Sequence, residues 1–179
     1  MDFDILFWIQ SWRTPLLDSL FLVITHLGDE GAIWILIGLS LWYVKRTRMT
    51  GVAIGTALVM EVLCVNAVLK EAIDRVRPCA IETIQMAMSC PDSPSWPSGH
   101  TGASFAAATV LLLMHRRWGW PALVLAALIA FSRMYLFVHY PTDVAAGVVI
   151  GCACGVLGVK LAPTVIKIVS DFAKKNHTK

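Results

Sequence analysis

Residues 51–70 read GVAIGTALVMEVLCVNAVLK. Charged or amide side chains occur at only three of these positions, Glu61, Asn66 and Lys70. A helix needs about 20 predominantly apolar residues to cross the hydrocarbon core of a bilayer. The stretch therefore predicts a transmembrane helix that becomes charged where it leaves the bilayer.

The rest of the chain continues this pattern. Hydrophobic residues make up 57% of the 179 residues and charged residues only 15%, whereas soluble domains are about half apolar and a quarter charged. The apolar runs lie at 3–27, 31–44, 50–69, 101–114, 118–138 and 143–159. We therefore expect an all-α, polytopic membrane protein, a six-transmembrane-helix bundle in which residues 1–179 form a single membrane-embedded domain. Alternatively, a short interfacial helix from Asp2 to Arg13 could precede a first span that starts near Pro15.

The basic residues predict the orientation of the bundle. With six spans, most of the Lys and Arg residues fall on one side of the membrane. They are Arg13, Lys45, Arg46, Arg48, Arg116, Arg117, Lys160, Lys167, Lys174, Lys175 and Lys179. Positive charge is retained on the cytoplasmic side, so we expect both termini in the cytoplasm. The remaining cations, which lie at the opposite face, are Lys70, Arg75, Arg77 and Arg133.

The polar end of the third apolar run has two interpretations. Four polar residues recur at helical intervals and would share one helix face: Asn66, Lys70, Asp74 and Arg77. Alternatively, Glu71–Arg75 and Lys70–Asp74 are ordinary ion pairs between residues four apart on a helix. By itself this segment favours the second interpretation.

The fifth apolar run ends in SRMYLFVHYPTD, residues 132–143. Pro141 suits the first turn of a sixth helix, and His139 and Asp143 flank that start four residues apart. A carboxylate in this position can accept the Nδ1 proton of the imidazole and leave Nε2 free as a nucleophile or base. The alternative is a capping aspartate beside an interfacial histidine.

A third polar stretch, PSWPSGHTG at residues 94–102, precedes the fourth apolar run. Pro97 ends any preceding helix, and Ser98 is a good N-cap residue. The N–H groups of Gly99, His100 and Thr101 then lack helical partners, which makes this helix start a suitable site for phosphate. The alternative is a helix cap with an interfacial histidine.

The predicted topology brings the three polar stretches to one membrane face. Ionisable groups within a membrane are costly and usually functional. Lysine, arginine and helix-terminal amides together suit an anion with several oxygens. The sequence therefore predicts a phosphate site with two histidines, His100 and His139.

In this combination, the residues resemble the three signature motifs of the type 2 phosphatidic acid phosphatase superfamily. The first motif is Lys70, six residues, Arg77 and Pro78, and the second is Pro97-Ser98-Gly99-His100. The third is Ser132-Arg133, five residues, His139, three residues and Asp143. All three motifs are complete and in order, and the six predicted helices extend the resemblance to the whole chain.

The resemblance implies a mechanism. His139 would attack phosphorus and form a phosphohistidine, Asp143 would orient His139, and His100 would protonate the leaving oxygen and later activate water. The phosphoryl oxygens would be held by Lys70, Arg77, Ser98, Gly99 and Arg133. In-line phosphoryl transfer depends mainly on positioning and charge neutralisation, and the family needs no metal, so we expect no metal and no other cofactor.

The remaining polar and sulfur-containing residues receive other assignments. His26, His115 and His177 are not expected to act in catalysis, and Glu61 is expected to face away from Lys70 and bridge two helices. Three cysteines should behave as small apolar residues within spans: Cys64, Cys152 and Cys154.

The loop CAIETIQMAMSC on the predicted outer face has two interpretations. Cys79 and Cys90 could form a disulfide if that face is oxidising. The loop could also dip into the headgroup region and guide a lipid through its apolar side chains, which are Ile81, Ile84, Met86 and Met88.

These observations and the resemblance predict a lipid phosphatase in a bacterial inner (cytoplasmic) membrane, with its site facing the periplasm or exterior. Undecaprenyl pyrophosphate is the favoured substrate because its recycling occurs on the outer face. Phosphatidylglycerol phosphate, phosphatidic acid and lipid A phosphates stay open, as does transfer of the phosphoryl group to another lipid. The related vanadium haloperoxidases share the anion pocket but are soluble, so the predicted spans argue against their chemistry.

A different class of function is a transporter or a non-catalytic membrane protein that binds an anion without turnover. Binding alone requires neither two histidines nor a carboxylate that fixes a tautomer, so His139, His100 and Asp143 favour an enzyme. The expected partners are a lipid phosphate drawn from the bilayer and the membrane itself, with no nucleic acid. The oligomeric state stays open.

Overall fold

The computed structural model describes residues 1–82, 84 and 87–177, and it describes side chains as far as residue 172. Within these residues the chain is all-helical, as the sequence predicts. The helices are α1 Asp2–Gln10, α2 Pro15–Leu27, α3 Ala32–Tyr43, α4 Arg48–Val62, α5 Lys70–Ile73, α6 Pro78–Ile81, α7 Gly99–Met114, α8 Arg116–Tyr135 and α9 Pro141–His177. A 3-10 turn, Asp29–Gly31, joins α2 to α3, and a π-helical segment, Leu63–Leu69, joins α4 to α5.

Some sequence predictions fall outside the described side chains. They concern Met86, Lys174, Lys175, His177 and Lys179.

Helix α7 forms the centre of the bundle and packs against α4, α8 and α9. Its contact with α9 is close because α9 presents glycines four residues apart. A Cβ atom built on Gly151 would lie 2.3 Å from the carbonyl oxygen of Gly102, and Cβ atoms on Gly147 and Gly155 would lie 2.7 Å from the carbonyl oxygens of Ser98 and Ala106. Small residues at such spacing let two helix backbones approach each other. The starts of α7 and α9 therefore lie side by side.

Three helical segments of the described chain are long and apolar enough to cross a membrane: Arg48–Ile81, Arg116–Tyr135 and Pro141–Phe172. Helices α2 and α3 meet at 44° and can be counted together as one bent span. Helix α7 is also apolar but has only 16 residues. By length and composition, the described residues thus provide three spans, or four if the bent pair is one, and the six predicted spans stay a prediction.

Helix α1 lies at the end of the bundle where α8 stops and α9 starts. The carboxylate of Asp2 accepts hydrogen bonds from Arg75 at 2.9 Å and from Thr142 at 2.7 Å. The side chain of Gln10 donates to the carbonyl oxygen of Tyr135 at 2.8 Å. With nine residues, α1 is about 14 Å long, which is too short to cross a bilayer.

The structure therefore corrects the predicted position of the N-terminus. The N-terminus and Arg13, which pairs with Asp18 at 2.9 Å, lie at the end that carries α1. The other basic loops lie at the opposite end, where Thr50 and His115 are joined by a 2.8 Å hydrogen bond. The alternative of a short helix from Asp2 to Arg13 before a span near Pro15 describes this part of the chain better.

Candidate active site

The turn between α8 and α9 fixes His139 beside Arg133. Beyond Tyr135 the chain leaves the helix, and Phe137 adopts a left-handed conformation with φ of +60°. The backbone N–H groups of Val138 and His139 both donate to the carbonyl oxygen of Arg133, at 3.1 and 3.2 Å. The turn thus buries the imidazole of His139 at the start of α9.

The predicted pair of His139 and Asp143 is present. Nδ1 of His139 lies 3.4 Å from Oδ2 of Asp143, longer than a normal hydrogen bond, and Nε2 accepts a hydrogen bond from Arg77 at 3.0 Å. This arrangement favours the tautomer with its proton on Nδ1. Burial lowers the pKa of His139 more than Asp143 raises it, so the imidazole is neutral near pH 7 and Nε2 has its lone pair.

Three donors hold the fully buried carboxylate of Asp143. Arg75 donates to Oδ1 at 2.6 Å, the hydroxyl of Ser95 donates to Oδ2, and the backbone N–H of Tyr140 donates to Oδ2 at 2.9 Å. The guanidinium of Arg75 also lies over the ring of Tyr140, 3.8 Å from its centroid. Because Arg75 bonds Asp2 as well, it connects α1 to the carboxylate that faces His139.

Arg75 and Arg77 correct two helical patterns expected from the sequence. Helix α5 ends at Ile73, and Asp74 has φ of +45°, which turns the chain out of the helix. Arg75 therefore bonds Asp143 instead of the predicted partner, Glu71. For the same reason, Arg77 does not share a helical face with Lys70.

The guanidinium of Arg77 is fixed by the loop before α7. It donates to the carbonyl oxygen of Ser93 at 2.7 Å, to the hydroxyl of Ser93 at 3.0 Å and to the carbonyl oxygen of Val138 at 2.9 Å. Each contact comes from residues far along the chain. The side chain therefore arrives at His139 in one defined orientation.

The start of α7 and Arg133 form the opposite wall of the site. Ser98 caps α7 as predicted, since its hydroxyl accepts from the backbone N–H of Thr101. The buried Arg133 donates to the hydroxyl of Thr25, and its Nε has no hydrogen-bond partner within the described residues. A buried guanidinium N–H without a partner is costly, so this donor is available to an anion.

A cavity of about 680 Å³ joins these groups. Six of the eight predicted site residues line it: Lys70, Arg77, Gly99, His100, Arg133 and His139. Ser98 and Asp143 are fully buried behind this lining. Away from the charged end, the cavity continues between α3 and α4 along apolar side chains, among them Ile35, Leu39, Trp42, Val52 and Val59.

A second histidine–aspartate contact was not predicted. Nε2 of His100 lies 2.9 Å from Oδ1 of Asp29, and Oδ2 of the same carboxylate lies 2.7 Å from Nδ1 of His26. His26 was assigned no catalytic role from the sequence. The available signal was the polar turn GDEG, residues 28–31, between two apolar runs, but nothing local indicates that it reaches His100.

Glu61 lies in a different place from the one expected. It is buried, lines the same cavity as Lys70, and its Oε1 has no hydrogen-bond partner within the described residues. The π-helical segment between the two residues changes the helical register, so Glu61 does not face away from Lys70.

The remaining predicted groups lie away from the cavity. The structure contains a disulfide between Cys79 and Cys90, whose Cα atoms are 5.8 Å apart, and His115 bonds Thr50 at the far end of the bundle. No group of three His, Cys, Asp or Glu side chains in the described part of the chain is arranged to hold a metal ion.

Comparison with known proteins identifies the family of the chain. Residues 50–167 match the model of the PAP2 superfamily. An undecaprenyl-diphosphatase of Sulfolobus acidocaldarius is 30% identical over 150 residues, which cover 83% of this chain and 72% of the relative.

Two crystal structures resemble the whole bundle. Aquifex aeolicus LpxE has a TM-score of 0.76 and 26% sequence identity, and the match covers 89% of this chain and 94% of that protein. A PAP2-type phosphatidylglycerolphosphate phosphatase from Bacillus subtilis has a TM-score of 0.72 and 28% identity, with 92% and 85% covered.

The fold, the site and these relatives define a phosphoric ester hydrolase that acts on lipid phosphates. The chain belongs to the PAP2 superfamily, and the resemblance seen in its three sequence motifs is confirmed.

Proposed function

We propose that the protein is embedded in a membrane and hydrolyses undecaprenyl pyrophosphate through a phosphohistidine on His139. The observation that carries this proposal is the shape of the cavity. Its charged end holds His139, His100 and three cations, and its apolar end continues between α3 and α4. Helix α3 has 12 residues and is therefore about 18 Å long, so the apolar end can receive the first part of a lipid chain.

In the first step, the lone pair on Nε2 of His139 attacks the terminal phosphorus. The bond from phosphorus to the bridging oxygen breaks as the bond to nitrogen forms, and His100 gives a proton to the leaving lipid phosphate. Arg77 transfers its hydrogen bond from Nε2 to a phosphoryl oxygen. Asp143 stabilises the positive charge that develops on His139.

In the second step, water attacks phosphorus and the bond to His139 breaks. His100, now neutral, accepts the proton from the water. Inorganic phosphate leaves, and both histidines return to their starting states.

The charge on the transferred phosphoryl group is neutralised by side chains and backbone amides. Lys70, Arg77 and Arg133 line the charged end of the cavity, and the N-terminus of α7, with Ser98 and Gly99, adds its N–H groups. Fixed donors of this kind need no rearrangement during the reaction. We therefore expect activity without added metal.

The basic loops support an orientation with the site on the outer face of a bacterial cytoplasmic membrane. Lys45, Arg46, Arg116 and Arg117 lie at the end of the bundle opposite His139, and such residues are retained in the cytoplasm. In this orientation the C-terminal end of α9 is cytoplasmic, while α1 lies with the site at the outer surface.

The proposal is tested by phosphate release from purified protein in detergent micelles containing EDTA. Undecaprenyl pyrophosphate, phosphatidylglycerol phosphate, phosphatidic acid and lipid A phosphates are compared by kcat/KM. We expect the highest value for undecaprenyl pyrophosphate. Adding a second lipid alcohol as acceptor separates hydrolysis from phosphotransfer, because transfer would yield a new lipid phosphate instead of inorganic phosphate.

The intermediate is tested with a lipid substrate that carries radioactive phosphorus. Label should remain on the denatured protein under alkaline conditions and be lost in acid, as expected for a phosphohistidine. His115→Ala, a histidine variant at the far end of the bundle, should retain the label. A preference for another lipid would replace the proposed substrate, whereas labelling of a His139→Ala variant would exclude the proposed nucleophile.

A further inference from the structure

We propose that Asp29, anchored by His26, is a positioning residue that holds His100 as the general acid. The inference rests on the role given to His100 in the proposed function and extends it to the turn between α2 and α3. It is based on the His26–Asp29–His100 contacts, which join a solvent-exposed histidine to one that lines the cavity.

The turn determines which edge of the imidazole faces the cavity. Oδ1 of Asp29 lies 2.9 Å from Nε2 of His100. A Cβ atom built on Gly28 would lie 3.1 Å from Cδ2 of the same ring, so the edge formed by Cδ2 and Nε2 faces the turn. Nδ1 is on the opposite edge and is the nitrogen that can carry a proton to a leaving oxygen.

The carboxylate of Asp29 is held at both oxygens. Oδ2 bonds His26 at 2.7 Å while Oδ1 bonds His100. The turn is conformationally demanding, since Glu30 and Gly31 both have positive φ, at +50° and +69°. A non-glycine residue in this region costs free energy and is found mostly where the surrounding structure requires it.

Electrostatics explain why the acid needs a carboxylate. Burial lowers the pKa of His100 most, the charges of Arg133 and Lys70 lower it further, and only the contact with Asp29 raises it. Glu30 adds a second carboxylate to the cavity lining. Removing Asp29 would therefore lower the fraction of His100 that carries the proton donated in the first step.

If Asp29 has this role, the loss of cleavage rate on its removal should depend on the leaving group of the substrate. In the first step, phosphorus gains a bond to His139 and loses its bond to the leaving oxygen, which takes the proton from His100. An alkoxide requires that proton, but a nitrophenolate leaves without it. Removing the carboxylate should therefore slow cleavage of an alkyl phosphate more than cleavage of an aryl phosphate.

The experiment compares Asp29→Asn with wild type on dioctanoyl phosphatidic acid and on p-nitrophenyl phosphate. General acid catalysis contributes roughly 10²–10⁴ in rate, and a positioning residue supplies part of it. We expect kcat/KM for phosphatidic acid to fall about 30-fold and kcat/KM for p-nitrophenyl phosphate to fall less than about threefold. Asp18→Asn, a matched change on α2 next to Arg13, should leave both values within about twofold.

Equal losses on the two substrates would mean that Asp29 supports only folding or binding, and no loss on either would remove it from the reaction. If Asp29→Asn does not fold, His26→Gln decides, because it keeps the carboxylate and removes only its anchor. In His26→Gln, kcat/KM should again fall more for the alkyl phosphate than for the aryl phosphate, but by less than in Asp29→Asn. An equal fall on the two substrates would overturn the proposal.

The test also separates this inference from the proposed function. Failure of wild type to cleave undecaprenyl pyrophosphate would refute the proposed substrate and leave the comparison of alkyl and aryl phosphates intact. Cleavage of both test substrates by His139→Ala would refute the proposed nucleophile, whatever Asp29→Asn does.

Discussion

Two histidine–aspartate pairs lie at the phosphate cavity, and they differ in exposure and in the separation of their partners along the chain. His139 and Asp143 are 3% and 0% exposed at their side chains, while His100 and Asp29 are 22% and 49% exposed. The partners of the buried pair are four residues apart, in the turn before α9 and in its first turn, whereas the partners of the exposed pair are 71 residues apart. Each environment matches the task that we propose for its histidine.

A nucleophile must be neutral and fixed in direction. Burial disfavours a proton on His139, Arg77 bonds its Nε2, and the carboxylate of Asp143 lies 3.4 Å from its Nδ1. An acid must instead be charged when substrate binds and must regain its proton between turnovers. Burial lowers the pKa of His100 too, but the half-exposed carboxylate of Asp29 opposes this effect, and contact with water allows proton exchange. The comparison teaches that the same two residue types can serve different roles when the exposure and the contacts of the carboxylate differ.

The largest effect that would test this comparison is expected at the histidines themselves. His139→Ala should lower kcat on every substrate by about 10⁴ or more, since no covalent intermediate can form. His100→Ala should retain measurable cleavage of p-nitrophenyl phosphate, which does not need an acid. Steady-state phosphate release measures both, and equal residual rates on the aryl substrate would mean that the two histidines act as one unit.

The next effect concerns the buried carboxylate. Asp143→Asn keeps the volume of the side chain but favours the wrong tautomer of His139, and we expect a loss on the order of 10³ in kcat. Unlike the loss expected for Asp29→Asn, it should be equal for alkyl and aryl phosphates. A leaving-group bias in Asp143→Asn would contradict the separate roles of the pairs.

A smaller effect is expected from the cation behind the buried pair. Arg75→Ala removes one of three donors to Asp143 and should reduce kcat about tenfold, with little change in KM because Arg75 does not line the main cavity. Arg75→Lys should recover part of the loss, since it keeps the charge but not the forked geometry. Arg48→Ala, at the opposite end of the bundle, is the matched control. A change in KM alone would show that Arg75 acts on substrate binding.

The smallest effect is a difference in salt dependence. Raising NaCl to about 1 M shortens the Debye length to about 3 Å, so the exposed Asp29 should lose part of its influence on His100. The ratio of wild-type to Asp29→Asn activity should then fall about twofold, while the ratio for Asp143→Asn stays constant. If salt changed both activity ratios by the same factor, the proposed difference between an exposed and a buried pair would be refuted.

Glu61 illustrates where sequence reasoning about one helix fails. It precedes Lys70 by nine positions, and at about 100° per residue a regular α-helix places the two on opposite faces. The segment Leu63–Leu69 is π-helical, which changes the rotation per residue. A local change in hydrogen bonding therefore places Glu61 in the cavity, and no periodicity in the sequence indicates it.

Arg75 and the N-terminal helix show a similar limit over longer distances. The sequence offers Glu71 as a partner four residues away, but the helix ends at Ile73 and Arg75 bonds Asp2 and Asp143 instead. The same contacts put α1 at the site end of the bundle. Charge counting had placed it with the cytoplasmic loops, because that rule assumes six complete spans.

By itself, the sequence determined the all-helical fold, the order of the three motifs and the pairing of His139 with Asp143. These features depend on composition and on residues a few positions apart, where helical geometry relates spacing to direction. Only the tertiary structure decided that Asp29 meets His100, that Arg75 holds Asp143 and that Glu61 lines the same cavity as Lys70. Such contacts depend on helix ends, bends and close packing between distant segments, which local patterns do not encode.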